Sequence, residues 1–483
     1  MDLDALLEKD FGLLIGGHER RIGETVAIRN PYNNSIVATV HLADAEMMDA
    51  AIAAAERAFD RTRTLTTYER EAILEKTAAG LRERAEDFAR TIMAEAGKPI
   101  TLARAEVERA VNTFTLAARE VHRIEGETLP LDVAPGAKGR LGLTRRFAIG
   151  PVAAITPFNF PLNLVAHKVA PAIAVGNPIV LRPASQTPIT ALMLGEIILA
   201  AGLPDGGLNV VPSSVEQAEQ LVADDRIRMV SFTGSPAVGW PLKVKAGKKR
   251  VTLELGGNAA AIVGVDADLE FAVPRLASGA FAYAGQVCIA VQRLFIHRAS
   301  FDEFLELFLR HVELEVGTGD PSDERVICGP MISRTEADRV EQWTEEANRA
   351  GGRQLSGGKR QGNVLWPTTL INVPTAMKVN AEEVFGPVVT VAQYGVFEEV
   401  LERVNDTRFG LQAGVFTRDV HRIFEAFEKL RVGSVIANDY PTFRVDNMPY
   451  GGVKDSGIGR EGVRYTMREM TDERLLVLNE ETT

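Results

Sequence analysis

The chain of 483 residues is 46% hydrophobic and 25% charged, which suits a folded protein with a large core and excludes a disordered or low-complexity one. At the usual ~150 residues per domain, the length fits about three domains. Lys plus Arg total 54 against 65 for Asp plus Glu, a net charge of −11, so the surface repels nucleic acid and acidic membranes and any anionic ligand must be held by local groups.

The opening segment, MDLDALLEKDFGLLIGG, is acidic and has neither a basic n-region nor an apolar h-region, which argues against a secretory signal; a cytoplasmic protein is expected. Thr66-Thr67-Tyr68-Glu69 has the form of a capping box. Leu74, Leu81, Ala85, Phe88 and Ile92 then recur at helical spacing until Gly97-Lys98-Pro99, predicting one helical segment over that span. A further helix over Glu106–Phe114 carries Arg109. The longest apolar stretch, from about Ala148 to Leu181, is interrupted by five prolines and by His167 and Lys168, so it is not a membrane span.

From Gly150 the pattern alternates. Runs rich in β-formers at Val152–Thr156, Ile179–Arg182, Leu208–Val211, Met229–Thr233 and Val251–Glu254 are separated by helix-like segments, which predicts a parallel sheet covered on both faces. Ligands of such sheets bind beyond the carboxyl ends of the strands, where Asn159, Arg182, Gly234-Ser235 and Glu254 fall. A second alternating region from about Ala259 to Ala437, with strands near Val291–Ile296, Val388–Ala392 and Gly414–Thr417, predicts another α/β unit. Arg140–Ala148 and Arg474–Asn479 read as strands outside both units, able to pair with each other or with another subunit.

The two cysteines exclude a disulfide framework or thiolate metal site, and the seven histidines lack paired ligand spacing, so no metal is expected. By residue type each cysteine is a small buried hydrophobe. Their positions differ: Cys288 falls where the helical segment Leu269–Ala284 gives way to a strand, and Cys328 lies in an Arg-Val-Ile-Cys-Gly-Pro turn. One Gly-x-Gly-x-x-Gly match, Gly457-Ile458-Gly459-Arg460-Glu461-Gly462, follows a glycine-rich loop rather than a strand and reads as a loop, not a dinucleotide fingerprint.

Six motifs stand in order: Thr156-Pro157-Phe158-Asn159-Phe160-Pro161, Phe232-Thr233-Gly234-Ser235, Leu253-Glu254-Leu255-Gly256-Gly257-Asn258, Gly285-Gln286-Val287-Cys288, Glu382-Glu383-Val384-Phe385-Gly386-Pro387 and Tyr450-Gly451-Gly452-Val453-Lys454-Asp455-Ser456-Gly457. Together they resemble the aldehyde dehydrogenase superfamily across essentially the whole chain. The resemblance implies an α/β fold with two Rossmann-like parallel-sheet domains and a small β oligomerisation arm. Residues 1-123 and 147-254 would form the cofactor-binding domain, 255-465 the catalytic domain, and 124-146 with 466-483 the oligomerisation strands of a homodimer or homotetramer.

The resemblance also implies roles. Cys288 attacks the aldehyde as a thiolate, Asn159 and the Cys288 backbone N–H hold the oxyanion, and Glu254 activates the water that hydrolyses the thioester. Lys168 and Glu461 match positions proposed for proton relay, or they form a structural ion pair. Thr156, Phe158, Gly234, Ser235, Leu255, Glu383 and Phe385 are the expected cofactor contacts. Arg182 and Ser185 stand where many relatives have Lys and Glu; the acceptor for the ribose hydroxyls is gone and a guanidinium leaves room and charge for a 2′-phosphate, so NADP is expected to be accepted, with the cofactor NADP or NAD. Asn163, His167, Arg444 and Tyr450 match positions lining the aldehyde tunnel, and Arg109 matches an anion anchor, so a short polar or anionic aldehyde is expected; Arg109 and Arg444 serve equally well as ion-pair partners. Relatives that anchor anions often place a second Arg before the nucleophile, where this chain has Val287. The alternatives are an enzyme that passes the thioester to coenzyme A, whose members lack a Glu at this position, and a non-catalytic cofactor-binding protein.

Overall fold

The computed structural model describes residues 9–479. Residues 1–8, the start of the acidic opening segment, and 480–483, the end of the expected 466-483 arm, lie outside them. Two large sheets, each flanked by helices, and one small antiparallel sheet make up the fold.

In the first large sheet five parallel strands form the centre. The chain enters in the middle at Val152–Ile155, moves outward through Ile179–Arg182 and Leu208–Val210, then returns to add Met229–Thr233 and Arg250–Glu254 on the opposite side. The order therefore reverses between Val152–Ile155 and Met229–Thr233, and that reversal opens a crevice at the carboxyl ends of the strands. All four residues of Val152–Ile155 are buried, as expected for a strand covered on both faces. An N-terminal hairpin, Leu13–Ile15 with His18–Arg20, closes one edge, and the two-residue strand Gly457–Ile458 closes the other by pairing antiparallel with Leu253–Glu254.

The second large sheet runs Arg353–Ser356, Thr368–Ile371, Val388–Tyr394, Arg293–His297, Ala260–Val263, Gln412–Phe416, Ser434–Ala437, parallel throughout except for its first strand. The outlying strands pair with each other: Thr471–Asn479 lies antiparallel along the whole of Arg140–Ala148, with Thr128–Pro130 on the far side. Among the described residues no helix is long and apolar enough to cross a membrane.

The capping box at Thr66 is formed in both directions, with Glu69 N donating to Thr66 Oγ1 and Thr66 N donating to Glu69 Oε2. The single helical segment expected behind it is two helices, Thr67–Glu83 and Ala85–Ala96. Arg84 breaks them at φ −106° and ψ 22°, which lets both lie against the helix Ile100–Glu120. Gly97, in the left-handed conformation, ends the second.

The fold positions the site through one glycine in particular. Gly457 sits at φ +145° and ψ −172°, and a Cβ there would lie 2.1 Å from Leu253 O, so only glycine lets this edge strand pair with Leu253–Glu254. Gly457→Ala is expected to cost about 1–3 kcal/mol in urea unfolding and to lower turnover with it, because the displaced loop carries Glu461; unchanged stability would show that the pairing is dispensable.

Candidate active site

The crevice opens into a cavity of about 840 Å³ lined from both large sheets, with Asn159, Gly234, Glu254, Cys288, Glu383 and Tyr450 on its wall. Cys288 sits on the turn that follows Ala282–Gly285. There Tyr283, Ala284 and Gly285 are all held at positive φ, so the chain doubles back and the thiol faces the crevice. Its Sγ lies 2.9 Å from Tyr450 Oη. Burial, only partly offset by the Tyr450 hydrogen bond and by Arg444, pushes the thiol up to about 11, so it rests neutral. Cys328 is fully buried with its sulfur 3.7 Å from Leu365 O and is pushed up to about 12, the environment of an inert core cysteine.

Asn159 follows the central strand and donates Nδ2 to Gln286 O at 2.9 Å, which ties it to the backbone two residues before the thiol. Glu254 ends the strand Arg250–Glu254; it is buried and neither carboxyl oxygen has a hydrogen-bond partner among the described residues. Burial first, and then the nearby Glu461 carboxylate, raise it well above the usual carboxylate range. Gly451 leaves it room, since a Cβ there would lie 2.8 Å from Glu254 Oε1.

Behind this wall stands a buried charge network. Lys168 Nζ donates to Glu461 Oε1 and to Ser231 Oγ, both at 2.9 Å, while Arg444 Nη2 donates to Glu461 Oε2 at 3.2 Å. Burial opposes the charge on Glu461, but Lys168, Arg444 and His167 outweigh it and hold the carboxyl at about 2. Arg444 lies 3.7 Å from the centre of the Tyr450 ring. The glycine-rich match is a loop, and it delivers Glu461: Tyr450 and Glu461 exchange backbone hydrogen bonds at 3.0 and 2.7 Å.

Asp446, within the segment Thr442-Phe443-Arg444-Val445-Asp446, was not among the sequence candidates. Its Oδ1 accepts from Arg109 Nη2 at 2.8 Å, His167 Nε2 at 2.9 Å and Asn163 Nδ2 at 3.3 Å. The signal for it was the spacing of Asn163 and His167, four residues apart on one face of the helix Asn163–Val175 and both polar in an otherwise apolar run. His167 and Lys168 are fully buried behind the cavity wall, whereas Arg109, Asn163, Arg444 and Tyr450 line it.

Several expected cofactor residues share the crevice. Ser235 caps the helix Pro236–Lys245, and a Cβ on Gly234 or Gly256 would lie 2.6 Å from the Phe232 ring or 2.2 Å from Glu383 Oε2. Glu383 Oε1 accepts from Gly257 N at 3.0 Å, and burial raises this carboxyl to about 7. Phe385, at φ +47°, meets Phe158 edge to face at 5.9 Å. Leu255 lines the crevice and its N–H donates to Ser456 O, and the buried Thr156 binds Arg182 O through its N–H. Arg182 and Ser185 lie outside the cavity. Arg182 Nη2 donates to Ser213 O at 2.9 Å and Ser185 Oγ at 3.2 Å, while Arg182 Nε and Ser213 Oγ are buried with no partner among the described residues.

Asp446 also makes a pH prediction. Burial opposes its ionisation, but the hydrogen bond from His167 and the charge of Arg109 outweigh burial and hold the carboxyl far below its ordinary value. Its contribution to stability is therefore complete above about pH 4, the unfolded value, and is lost as the pH falls below that. Burial lowers His167, so stability also declines from about pH 6.5 downward as the unfolded state takes up that proton first. Asp446→Asn should cost roughly 3 kcal/mol at pH 7 and flatten the steep loss below about pH 4, measured by urea unfolding across pH; an unaltered acid slope would remove Asp446 from the network.

A model of the aldehyde dehydrogenase family matches residues 18–476. The chain is 45% identical over 472 residues to a 3-sulfolactaldehyde dehydrogenase of Priestia megaterium, covering 98% of each protein. Among solved structures it superimposes with a TM-score of 0.96 on an aldehyde dehydrogenase from Physcomitrella patens crystallised with the reaction product succinate, at 45% identity and covering 98% of this chain and 99% of that one. The glyceraldehyde-3-phosphate dehydrogenase of Methanocaldococcus jannaschii complexed with NADP gives a TM-score of 0.91 at 39% identity, covering 95% and 99%. The chain therefore belongs to the aldehyde dehydrogenase family and is an NAD(P)-dependent oxidoreductase of aldehydes.

Proposed function

We propose that the protein oxidises a short anionic aldehyde to its free carboxylic acid, with Cys288 as nucleophile and Glu254 as the base for hydrolysis. The observation that carries the anionic substrate is a pair of guanidinium groups on the cavity wall, Arg109 and Arg444, whose Nε donors are buried with no partner among the described residues. Buried cationic donors left unpaired are costly, and a sulfonate, carboxylate or phosphate tail would satisfy them. The relatives named for 3-sulfolactaldehyde, and the one crystallised with succinate, agree with a small acidic tail.

The dinucleotide fits the residues present: glycines at Gly234 and Gly256 leave backbone open, the start of Pro236–Lys245 suits a phosphate, and Glu383 stands ready for a ribose hydroxyl. When bound, it accepts the hydride of the oxidation. Arg182 and the unpartnered Ser213 hydroxyl supply a cation and a donor for a 2′-phosphate, so NADP is preferred. Residues 1-123 and 147-254 thus form the cofactor-binding domain, which also lends Asn159 and Glu254 to the chemistry, and 255-465 the catalytic domain, which lends Glu383 to the cofactor.

In this reading the Cys288 sulfur adds to the carbonyl carbon, and the oxygen that gains charge is met by Asn159 Nδ2 and the Cys288 N–H. Hydrolysis of the resulting thioester requires a base. Glu254, raised by burial and without a hydrogen-bond partner among the described residues, takes a proton from water once it is ionised, and Lys168 with Glu461 keeps the ground behind it polar without neutralising it. The strands Arg140–Ala148 and Thr471–Asn479, with Leu475 to Leu478 all exposed, supply an oligomerisation surface.

Glu254→Gln should retain a single burst of reduced cofactor and lose steady-state turnover by about 10²-fold or more; unchanged turnover would remove Glu254 from the hydrolysis. Arg109→Leu should raise KM for sulfolactaldehyde and succinate semialdehyde about 10- to 100-fold while leaving hexanal unchanged. A panel of these three with lactaldehyde and glyceraldehyde 3-phosphate, run with NADP and NAD, tests the whole reading; hexanal ranking first, or a strong NAD preference, would overturn the corresponding part.

A further inference from the structure

Resting on Cys288 as the nucleophile, we propose that Tyr450 is a catalytic residue: its phenol is the hydrogen-bond donor that stabilises the Cys288 thiolate, and Arg444 strengthens it by stacking on the ring. The sulfur and the phenol oxygen are 2.9 Å apart. While the thiol is neutral either atom can donate, but an ionised sulfur has no hydrogen left, so the phenol must donate. Tyr450 keeps its proton throughout, because burial first and then the adjacent sulfur raise its own ionisation well above the ordinary value.

The donor is fixed in place. Its ring is buried against Ile289 and Leu411, and its backbone is paired on both sides with Glu461. Arg444, itself held by Glu461, places its cation 3.7 Å from the ring centre, drawing electron density from the phenol and making its O–H a stronger donor. The charged and titratable groups that weigh most on the thiol act in opposite directions. Tyr450 and Arg444 favour the thiolate, whereas Glu383 and Glu254 oppose it. Glu254 also faces the phenol. Both carboxyls are raised by burial, Glu383 to about 7, which weakens their opposition.

In the ionisation the S–H bond breaks and its proton passes to water, and the phenol O–H bond stays intact. In the addition a sulfur lone pair forms the S–C bond and the carbonyl π pair moves to oxygen, so the charge leaves sulfur and the hydrogen bond weakens. The donor therefore raises the thiolate fraction while slightly lowering its nucleophilicity, with a net gain of roughly the square root of the gain in thiolate.

The test is the pH dependence of Cys288 alkylation by iodoacetamide in the full-length protein, with Cys288→Ser as the blank and buried Cys328 silent. In Tyr450→Phe the inflection should rise by about one to two pH units. The acid limb of kcat/KM should rise with it, while Tm and dinucleotide Kd stay unchanged. Replacing tyrosine by 3-fluorotyrosine, a stronger donor of nearly the same shape, should move the inflection down and keeps the test decisive if the Phe variant folds poorly. An inflection that does not move in either protein, or faster alkylation of Tyr450→Phe at neutral pH, would overturn the proposal and make the contact a resting position for the thiol. Turnover surviving in Cys288→Ser would instead defeat the nucleophile reading on which the proposal rests.

Discussion

Glu461 holds the site together. One carboxylate oxygen answers Lys168 and the other Arg444, while its backbone pairs with Tyr450. Through Lys168 it is tied to the helix that begins beside Asn159, and through Arg444 and Tyr450 it reaches the Cys288 thiol. Its own loop leaves the edge strand Gly457–Ile458, which pairs with the strand ending in Glu254. One buried anion thus sets the relative positions of groups from both large sheets. Burial of three charges is tolerated because each finds an opposite charge or a polar partner; removing Glu461 would leave both cations uncompensated.

The same desolvation divides the two central carboxyls into different roles. Glu461 has two cations in contact and stays ionised. Glu254, a short distance along the paired strands, is raised by burial and then by Glu461 as a like charge, and it has no hydrogen-bond partner among the described residues. Two carboxyls whose environments push them apart in this way give one fixed anion and one group that holds a proton more readily. A thiol in the same dry crevice would suffer as Glu254 does, which is why the phenol and the guanidinium beside Cys288 matter: they work against burial.

Much of this was legible in the sequence because parallel strands covered on both faces are short continuous apolar runs. Ile179–Arg182 and Met229–Thr233 begin and end where the β-formers do, and of the residues expected at the carboxyl ends Asn159, Gly234, Ser235 and Glu254 line the cavity while Arg182 lies outside it. Ala260–Val263, Thr368–Ile371 and Ser434–Ala437 were missed: four residues each, carrying alanine, threonine or serine, they acquire strand structure from their neighbours in the sheet rather than from local preference. The break at Arg84 was hidden because both helices keep one apolar face toward Ile100–Glu120, so the periodicity runs across it. Asp446 was invisible for a different reason. Its three donors lie up to 337 residues away, and only the folded chain converges them on one oxygen.

That convergence bears on specificity. The protein is acidic overall, so an anionic aldehyde is gathered by local cations or not at all. Arg109 and Arg444 each already face a carboxylate, but that does not spend their hydrogen-bonding capacity. A guanidinium has five N–H donors, and Asp446 and Glu461 each engage only one nitrogen of their arginine by hydrogen bonding. The carboxylates orient the two forks and restrain them; the two Nε donors, buried with no partner among the described residues, keep their need for one. A neutral aldehyde entering the cavity would leave those donors dry and unpaired, whereas an acidic tail would meet them, and a cost of this kind discriminates more strongly than the fit of an apolar wall.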